Sequence, residues 1–241
     1  MLEHSPRFDL RAAERVAREH FGIDGRATAL TSERDQNFAI EGAGGARLVL
    51  KIANAREDRA MLEAQQSALA HVATRTEVTP RVLRSTNGTS LVPISADDGT
   101  TYLAWAISWL PGQPFALAAR RSLALHESFG RSVGALGVAL ADFDHPAIHR
   151  DFYWDLANGR AIVSRYREMI ADAEVGRALG ALIASYDRRT APLLAELSRS
   201  AIHGDPNDRN VLVGGGTNAE SRGQQVTGIV DFGDMTYSYR I

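Results

Sequence analysis

Hydrophobic residues change their spacing along the chain, from a mixture of helical and strand-like patterns to a mainly helical one. Residues 9–20 repeat apolar positions at helical spacing between Asp9, which suits an N-cap, and Gly22, which suits the C-terminal cap. Short apolar runs separated by turn residues follow, and the alternation of large and small side chains over 101–110 is typical of a strand. From residue 113 onward, helical spacing returns. The pattern predicts an α+β fold whose first part is rich in antiparallel strands.

The two patterns meet at Leu110-Pro111-Gly112, a sequence that favours a turn. We therefore divide the chain into two lobes: residues 1–110 form an N-terminal lobe built on an antiparallel sheet, and residues 111–241 form a mainly helical C-terminal lobe. Within the first lobe, a helix is predicted over residues 56–72. In the second lobe, the run 214–225 is rich in Gly, Asn and Ser, and we predict an extended loop between two strands there.

Composition excludes several classes of protein. A chain of 241 residues can bury the core of one large domain or of two lobes. The net charge of −2 argues against a nucleic-acid surface or a polybasic membrane anchor, and no apolar run reaches the length of a membrane span. The absence of cysteine excludes disulfides, thiolate metal sites and cysteine nucleophiles. We expect a soluble cytoplasmic protein without nucleic-acid or membrane partners.

Three polar residues near the end of the chain stand next to apolar runs. Asp205 follows one short apolar run, Asn210 precedes another, and Asp231 ends a third. Strands flanking a loop would bring the three side chains together at one rim. A carboxylate that orients a hydroxyl group, together with oxygen ligands for Mg²⁺, is what metal-assisted phosphoryl transfer requires. The alternative is a pair of β-turns with ordinary capping Asp and Asn residues.

These motifs resemble those of a known family. His203-Gly204-Asp205 with Asn210, followed by Asp231-Phe232-Gly233, resembles the aminoglycoside phosphotransferase and choline kinase family, small-molecule relatives of protein kinases. The stretch 149–158 and the Glu-x-Gln sequence at 63–65 are similar to hydroxylysine kinases and to kinase modules fused to class III aminotransferases. The resemblance implies a protein-kinase-like two-lobe fold, with the nucleotide bound by the N-terminal lobe and with catalysis and acceptor binding in the C-terminal lobe.

The resemblance also implies a role for each motif residue. Asp205 is the catalytic residue that accepts or orients the proton of the acceptor hydroxyl, while Asn210 and Asp231 hold Mg²⁺. Lys51 contacts the α- and β-phosphates; the alternative for this lysine is the solvent face of an edge strand. His203 is expected to pack or hydrogen-bond beneath the loop and not to serve as a base.

Further nucleotide contacts follow from the same resemblance. The polar loop from Ser32 to Asn37 covers the phosphates, although a plain hairpin loop is the alternative. The backbone near Ser108 and Leu110 contacts the purine. No side chain in that segment identifies the base, so both ATP and GTP are candidates for the phosphoryl donor.

An acidic partner for Lys51 is expected on the helix predicted at 56–72. Glu63 is the candidate, although the family's usual spacing from Leu69 leads to Gln65 instead. The alternative for Glu63 is a solvated carboxylate on the helix surface.

The implied acceptor is a hydroxylated amine. A 5-hydroxylysine-like amino alcohol is favoured, and homoserine, choline, ethanolamine or an aminoglycoside are the other candidates. The aromatic run Phe152-Tyr153-Trp154, with its neighbouring acids, can form a wall that binds a cation or can simply pack the lobe. Fusion to or pairing with a pyridoxal-phosphate enzyme is a further implication of the resemblance.

Two alternatives to an active kinase remain. One is a pseudokinase, which would bind nucleotide as a regulatory module. The other is an inactive fragment of a larger kinase–aminotransferase fusion. The sequence ends at Ile241, soon after Asp231, whereas similar kinases continue with helices that complete the acceptor lobe; we therefore expect a C-terminal truncation.

Overall fold

The computed structural model describes residues 4–216 and 223–240. Its helices are α1 Leu10–Phe21, α2 Arg59–Val72, α3 Leu123–Ala139, α4 Gly159–Tyr166 and α5 Ala173–Arg189. Its strands are β1 Gly25–Leu30, β2 Gln36–Gly42, β3 Arg47–Ile52, β4 Val82–Leu83, β5 Val92–Ser95, β6 Thr101–Ser108, β7 Gln113–Pro114, β8 Arg199–Ile202, β9 Val211–Gly214, β10 Gln225–Ile229 and β11 Thr236–Tyr239. Part of the loop predicted at 214–225 lies outside the described residues.

The first six strands form one antiparallel sheet in the order β1-β2-β3-β6-β4, with β5 also paired to β6. Helix α1 covers one face of this sheet. Its first turn is capped by Asp9, whose Oδ1 accepts a hydrogen bond of 2.7 Å from the Ala12 N–H, and Gly22 ends it in a left-handed conformation at φ 70°. The helix and both caps agree with the sequence prediction.

The two faces of the central strand β3 belong to different hydrophobic clusters. Leu48, Leu50 and Ile52 pack in the cluster that includes α1. Val49 packs instead on the opposite cluster, which includes α2, α3 and strands from the second part of the chain. Because side chains alternate along a strand, Lys51 lies on the same side as Val49. The sheet therefore presents Lys51 toward the second part of the chain.

The described residues of the second part of the chain form helices α3, α4 and α5 and two small sheets. Strands β10, β9 and β7 form one antiparallel sheet, and β11 pairs with β8 in another. Helix α3 packs against β10 and places Leu125 and Leu136 in the shared core. The predicted α+β class, with a sheet-rich first part and a mainly helical second part, is confirmed.

Within residues 4–216 and 223–240, no helix combines the length and the apolar character needed to cross a lipid bilayer.

Candidate active site

Two loops meet where the two small sheets adjoin. The loop at 203–210 joins β8 to β9, and the loop at 230–235 joins β10 to β11. Strand β8 pairs with β11, and β9 pairs with β10. Each loop therefore runs between the same two sheets, so the loops lie side by side. We call them the first and the second site loop.

His203 fastens the two site loops together. Its Nε2 lies 3.0 Å from the Val230 carbonyl oxygen, and the Asp205 N–H points at its Nδ1 at 3.3 Å. This assigns the ring hydrogen to Nε2, because the carbonyl can only accept and the backbone amide can only donate. The Phe232 ring packs edge-on against the imidazole at 4.8 Å. Burial lowers the pKa of His203, so the neutral ring is favoured. The structure agrees with the packing and hydrogen-bonding role expected for this histidine.

Gly204 permits the close approach of the two loops. Its φ of +85° lies in the left-handed region that favours glycine. A β-carbon at this position would collide with the backbone carbonyl oxygen of Asp234. The first site loop can contact the second only with glycine here.

Asp205 is held by two asparagines of its own loop. Asn210 Nδ2 donates to the Asp205 backbone oxygen at 3.0 Å and to its carboxylate Oδ2 at 3.1 Å, and Asn207 Nδ2 donates to the same Oδ2 at 2.8 Å. Within the described part of the chain, Oδ1 of Asp205 receives no hydrogen bond. One carboxylate oxygen is thus fixed by the protein and the other is available to a ligand.

Asp231 has an unusual backbone conformation. With φ 67° and ψ 80°, it is the single non-glycine residue of positive φ among the described residues. Such strain is typical of functional positions, where the surrounding structure holds the residue in place. The pKa of Asp231 is lowered, chiefly by the positive charge of Lys51. The Lys51 ammonium is therefore near enough to Asp231 to favour the charged form of its carboxylate.

Lys51 lies in the middle of the large sheet and not on an edge strand. Its neighbours in register are Asn37 on β2 and Trp105 on β6, and its side chain is only 8% exposed. The Nζ atom lies 5.7 Å from the centre of the Trp105 ring. The alternative of a solvent-facing lysine is therefore wrong. The neighbouring Asn37 has a buried Oδ1 that forms no hydrogen bond with a described residue.

The structure does not bring Glu63 to Lys51. Glu63 lies on the exposed side of α2, where its carboxylate pairs with Arg59 Nε at 2.9 Å. Between described residues, no acidic group comes within 4.0 Å of Lys51. The cause is the helix register: Leu62 and Gln65 face the core, so that Glu63 points away from it. The prediction of a Glu63 partner is corrected accordingly.

Three other residues were predicted to contact the nucleotide, and the backbone N–H of one of them is already hydrogen-bonded within the protein. The Ser108 N–H already donates to the Arg81 carbonyl at 2.8 Å, and its hydroxyl accepts from the Arg81 N–H at 2.9 Å. Ser108 therefore cannot offer its backbone N–H to a purine. Leu110 lies between β6 and β7, and Ser32 is exposed in the loop between β1 and β2. Their contacts with the nucleotide stay predictions.

A cavity of about 330 Å³ opens beside Asp205. It is lined by Glu33, Trp154, Gly204, Asp205 and Asp234. Trp154 is 72% exposed and rests edge-on against Tyr153 at 5.3 Å. Three carboxylates and an aromatic face favour a cationic ligand.

Arg150 attaches the aromatic stretch to the second site loop. Its Nη2 donates to the carbonyl oxygens of Gly233 and Met235, at 2.8 and 3.1 Å, and its guanidinium lies 4.0 Å from the Phe152 ring centre. This role was not predicted from the sequence. Arg150 lies in the stretch 149–158, one of the segments that carry the family resemblance. The carbonyl groups that it contacts are more than 80 residues away in the sequence.

Comparison with known proteins gives a consistent result. Residues 26–241 match the family model described as the phosphotransferase enzyme family. The chain is 31% identical over 229 residues to the hydroxylysine kinase of Mus musculus, an alignment that covers 88% of this chain and 60% of that protein. It is 30% identical over 229 residues to the hydroxylysine kinase of Xenopus laevis, with 88% and 61% covered. The chain thus spans about three fifths of the length of these curated relatives.

Solved structures show the same fold. A microcompartment-associated aminopropanol kinase aligns with a TM-score of 0.66 at 20% identity, covering 96% of this chain and 71% of that one. The GDP complex of aminoglycoside 2'-phosphotransferase-IIIa aligns with a TM-score of 0.66 at 18% identity, covering 97% and 75%. Similarity at this level of identity establishes the fold and confirms the predicted kinase-like architecture.

The approach of the two site loops at Gly204 can be tested by adding a methyl group. We expect Gly204→Ala to lower the free energy of unfolding by more than the roughly 1–2 kcal/mol that a left-handed alanine costs by itself, because the Asp234 carbonyl must also move. Gly88→Ala is the matched control: its φ is +84° and nothing lies within 4 Å of the added carbon. Urea unfolding measures both, and equal losses would contradict the predicted collision.

His203 gives a prediction about pH. Burial lowers the pKa of His203 in the folded state, so below about pH 6.5 the unfolded chain binds a proton that the folded chain does not. The free energy of unfolding should fall as pH decreases from there, by up to about 1.4 kcal/mol per pH unit from this group, until the folded His203 is itself protonated.

Urea unfolding at several pH values, from about 7.5 down to about 5, measures this slope in the parent protein and in His203→Gln. The variant should lose part of the slope. His126→Gln, which removes an exposed imidazole from α3, should keep it. A His203→Gln variant with the parent slope would show that this histidine does not contribute.

Proposed function

The chain belongs to the phosphotransferase enzyme family, and from this premise we propose that it is a small-molecule kinase. It transfers the γ-phosphate of ATP or GTP to a hydroxyl group of an amine-containing metabolite. The observation that supports the proposal is the contact between the two site loops, which carry Asp205, Asn210 and Asp231, together with the effect of the Lys51 charge on the pKa of Asp231. The lobe division at residues 110 and 111 is part of the same proposal, with the nucleotide bound between the lobes.

The proposed transfer uses Oδ1 of Asp205, the carboxylate oxygen that receives no hydrogen bond from the described residues. The acceptor hydroxyl oxygen forms a bond to the γ-phosphorus, and the bond from that phosphorus to the β-phosphate bridging oxygen breaks, releasing the nucleoside diphosphate. The hydroxyl proton passes to Oδ1 of Asp205, while Asn207 and Asn210 hold Oδ2. Because the transition state is loose, orientation of the hydroxyl contributes more than proton removal does.

The residues of the site loops fit a magnesium ion. Asn210 donates both its amide hydrogen bonds to Asp205, which leaves its carbonyl oxygen for a metal, and Asp231 supplies a carboxylate. The described residues contain no group of three or more His, Cys, Asp or Glu that could hold a metal alone. Two protein ligands suit Mg²⁺, which is usually bound by one or two carboxylates with substrate phosphates and water. When bound, Mg²⁺ neutralises charge on the β- and γ-phosphates.

Lys51 and the polar loop are proposed as the phosphate contacts from the sheet. Lys51 directs its ammonium into the cleft, and it contacts the α- and β-phosphates. Backbone groups between Ser32 and Asn37 cover them. Leu110, and not the N–H of Ser108, provides the backbone donor for the purine.

The cavity beside Asp205 supports an amine-containing acceptor. Its carboxylates and the face of Trp154 can surround an ammonium group while Asp205 reaches a hydroxyl on the same molecule. A 5-hydroxylysine-like amino alcohol is our first candidate because relatives at 27–31% identity are named hydroxylysine kinases. Homoserine, choline, ethanolamine and an aminoglycoside follow. We place the reaction in the cytoplasm, where a pyridoxal-phosphate enzyme could use the phosphorylated amine.

Asp205→Asn tests the proposed reaction. Incubation with Mg²⁺, ATP or GTP and each candidate acceptor, followed by mass spectrometry, should detect a phosphorylated product with the parent protein. The variant should lose about 10²- to 10⁴-fold in rate, the range that general-base residues contribute, while keeping its nucleotide affinity. Asp208→Asn is the matched control because Asp208 is an exposed carboxylate of the same loop, paired with Arg121 at 3.7 Å.

Three results would decide between the kinase proposal and its alternatives. Full activity in Asp205→Asn would refute the proposed role of the carboxylate. Nucleotide binding by the parent protein without transfer to any acceptor would favour a nucleotide-binding regulatory module or an inactive fragment of a larger kinase–aminotransferase fusion. Absence of nucleotide binding would refute the kinase proposal.

A further inference from the structure

Arg34 extends from the loop between β1 and β2 to the second site loop. Its Nη2 lies 3.8 Å from Oδ1 of Asp234 and 3.8 Å from the position that a β-carbon on Gly233 would occupy. The side chain remains 45% exposed. Arg34 thus places a positive charge from the sheet beside the loop that carries Asp231.

The backbone of Arg34 is hydrogen-bonded to Asn54, which lies just after strand β3. Asn54 Nδ2 donates to the Arg34 backbone oxygen at 3.3 Å, and the Asn54 N–H donates to Oδ1 of Asp35 at 3.0 Å. Strand β3 also carries Lys51. The segment that contacts the Arg34 backbone therefore follows directly on the strand that carries Lys51.

The guanidinium of Arg34 has unused hydrogen-bonding capacity. Its one ion pair, to Asp234, is longer than a hydrogen bond, and none of its five N–H groups donates to a described residue. The carboxylates of Glu57, Asp231 and Asp234 all feel its charge. An arginine that is attracted into a cleft but not bonded there can donate to an incoming oxyanion.

Phosphoryl transfer requires positive charge at the γ-phosphate, and the first site loop offers little. Its one cation is Arg209, whose side chain is exposed and forms no ion pair among the described residues. Lys51 is assigned to the α- and β-phosphates. We propose that Arg34 donates hydrogen bonds to the γ-phosphate of the bound nucleotide, an inference that rests on the proposed kinase function.

Binding of two nucleotides tests this proposal without requiring turnover. Calorimetry in the presence of Mg²⁺ gives the Kd of a non-hydrolysable nucleoside triphosphate analogue and of the matching diphosphate. Arg34→Gln should weaken binding of the triphosphate about 10- to 100-fold, the range for a hydrogen bond to a charged group, and leave the diphosphate affinity unchanged. Arg34→Lys should recover part of the loss, because lysine keeps the charge but not the planar donor geometry.

Two further variants separate a phosphate contact from other effects. Arg56→Gln removes an exposed arginine whose backbone N–H donates to Oδ1 of Asn54, and it should leave both affinities unchanged, which controls for net charge. Asp234→Asn removes the partner of Arg34 and should keep the preference for the triphosphate. If Asp234→Asn reproduced the Arg34→Gln result, the ion pair would be responsible and the phosphate contact would be refuted.

Other outcomes also overturn the proposal. An equal loss of triphosphate and diphosphate affinity in Arg34→Gln would mean that the arginine positions the loop and does not contact the γ-phosphate. Unchanged affinities would mean that it contacts neither nucleotide. If the parent protein bound the analogues normally, these results would leave the kinase proposal intact, whereas a parent that bound neither would refute both proposals.

Discussion

The hydrogen bond from His203 to the Val230 carbonyl is the contact on which the candidate site depends. It joins the two site loops one residue before Asp231 and two residues before Asp205. Both nitrogens of the buried ring form hydrogen bonds. A shift of either loop would leave a buried polar group without a partner, which is costly in a low-dielectric interior. Gly204 removes the steric obstacle to the same contact. The hydrogen bond of His203 and the absence of a side chain at Gly204 therefore fix the spacing of the two candidate carboxylates, Asp205 and Asp231.

Lys51 illustrates a second constraint, the cost of burying a charge. An ammonium in the middle of a sheet is unfavourable unless an opposite charge compensates it. The helix that carries Glu63 does not provide that charge, because Glu63 is directed to solvent. The acidic group that interacts with the Lys51 charge is instead Asp231, whose pKa it lowers, and the Lys51 Nζ also lies 5.7 Å from the centre of the Trp105 ring. The electrostatic link between the sheet and the second site loop is therefore direct, and it does not pass through α2.

Local patterns in the sequence predicted what local forces determine. Such patterns predicted the capped helix α1, strand β3, the strand before Leu110, and the polar motifs around Asp205 and Asp231. Strand β11 was not predicted, although its pairing with β8 aligns the two site loops. Arg150 and Arg34 were missed for the same reason: their partners lie 83 to 200 residues away, and tertiary topology rather than periodicity brings them together. The orientation of Glu63 depended on which side of α2 packs, a matter of core shape.

Opposite charges lie close together around Asp205. Strand β3 supplies Lys51 and the loop between β1 and β2 supplies Arg34, while the cavity beside Asp205 is lined by Glu33, Asp234 and Trp154. Burial raises the pKa of Asp234 even though Arg34 acts against it, so the carboxylates of the cavity are only partly compensated by the protein. A polyanion bound near the sheet and a cation bound in the cavity would each relieve a repulsion within the protein. Since the polyanion would also draw Arg34 away from Asp234, it would strengthen the attraction of the cavity for a cation. Under the proposed function, nucleotide and amine should therefore bind cooperatively, with Asp205 at the boundary where hydroxyl and γ-phosphate meet.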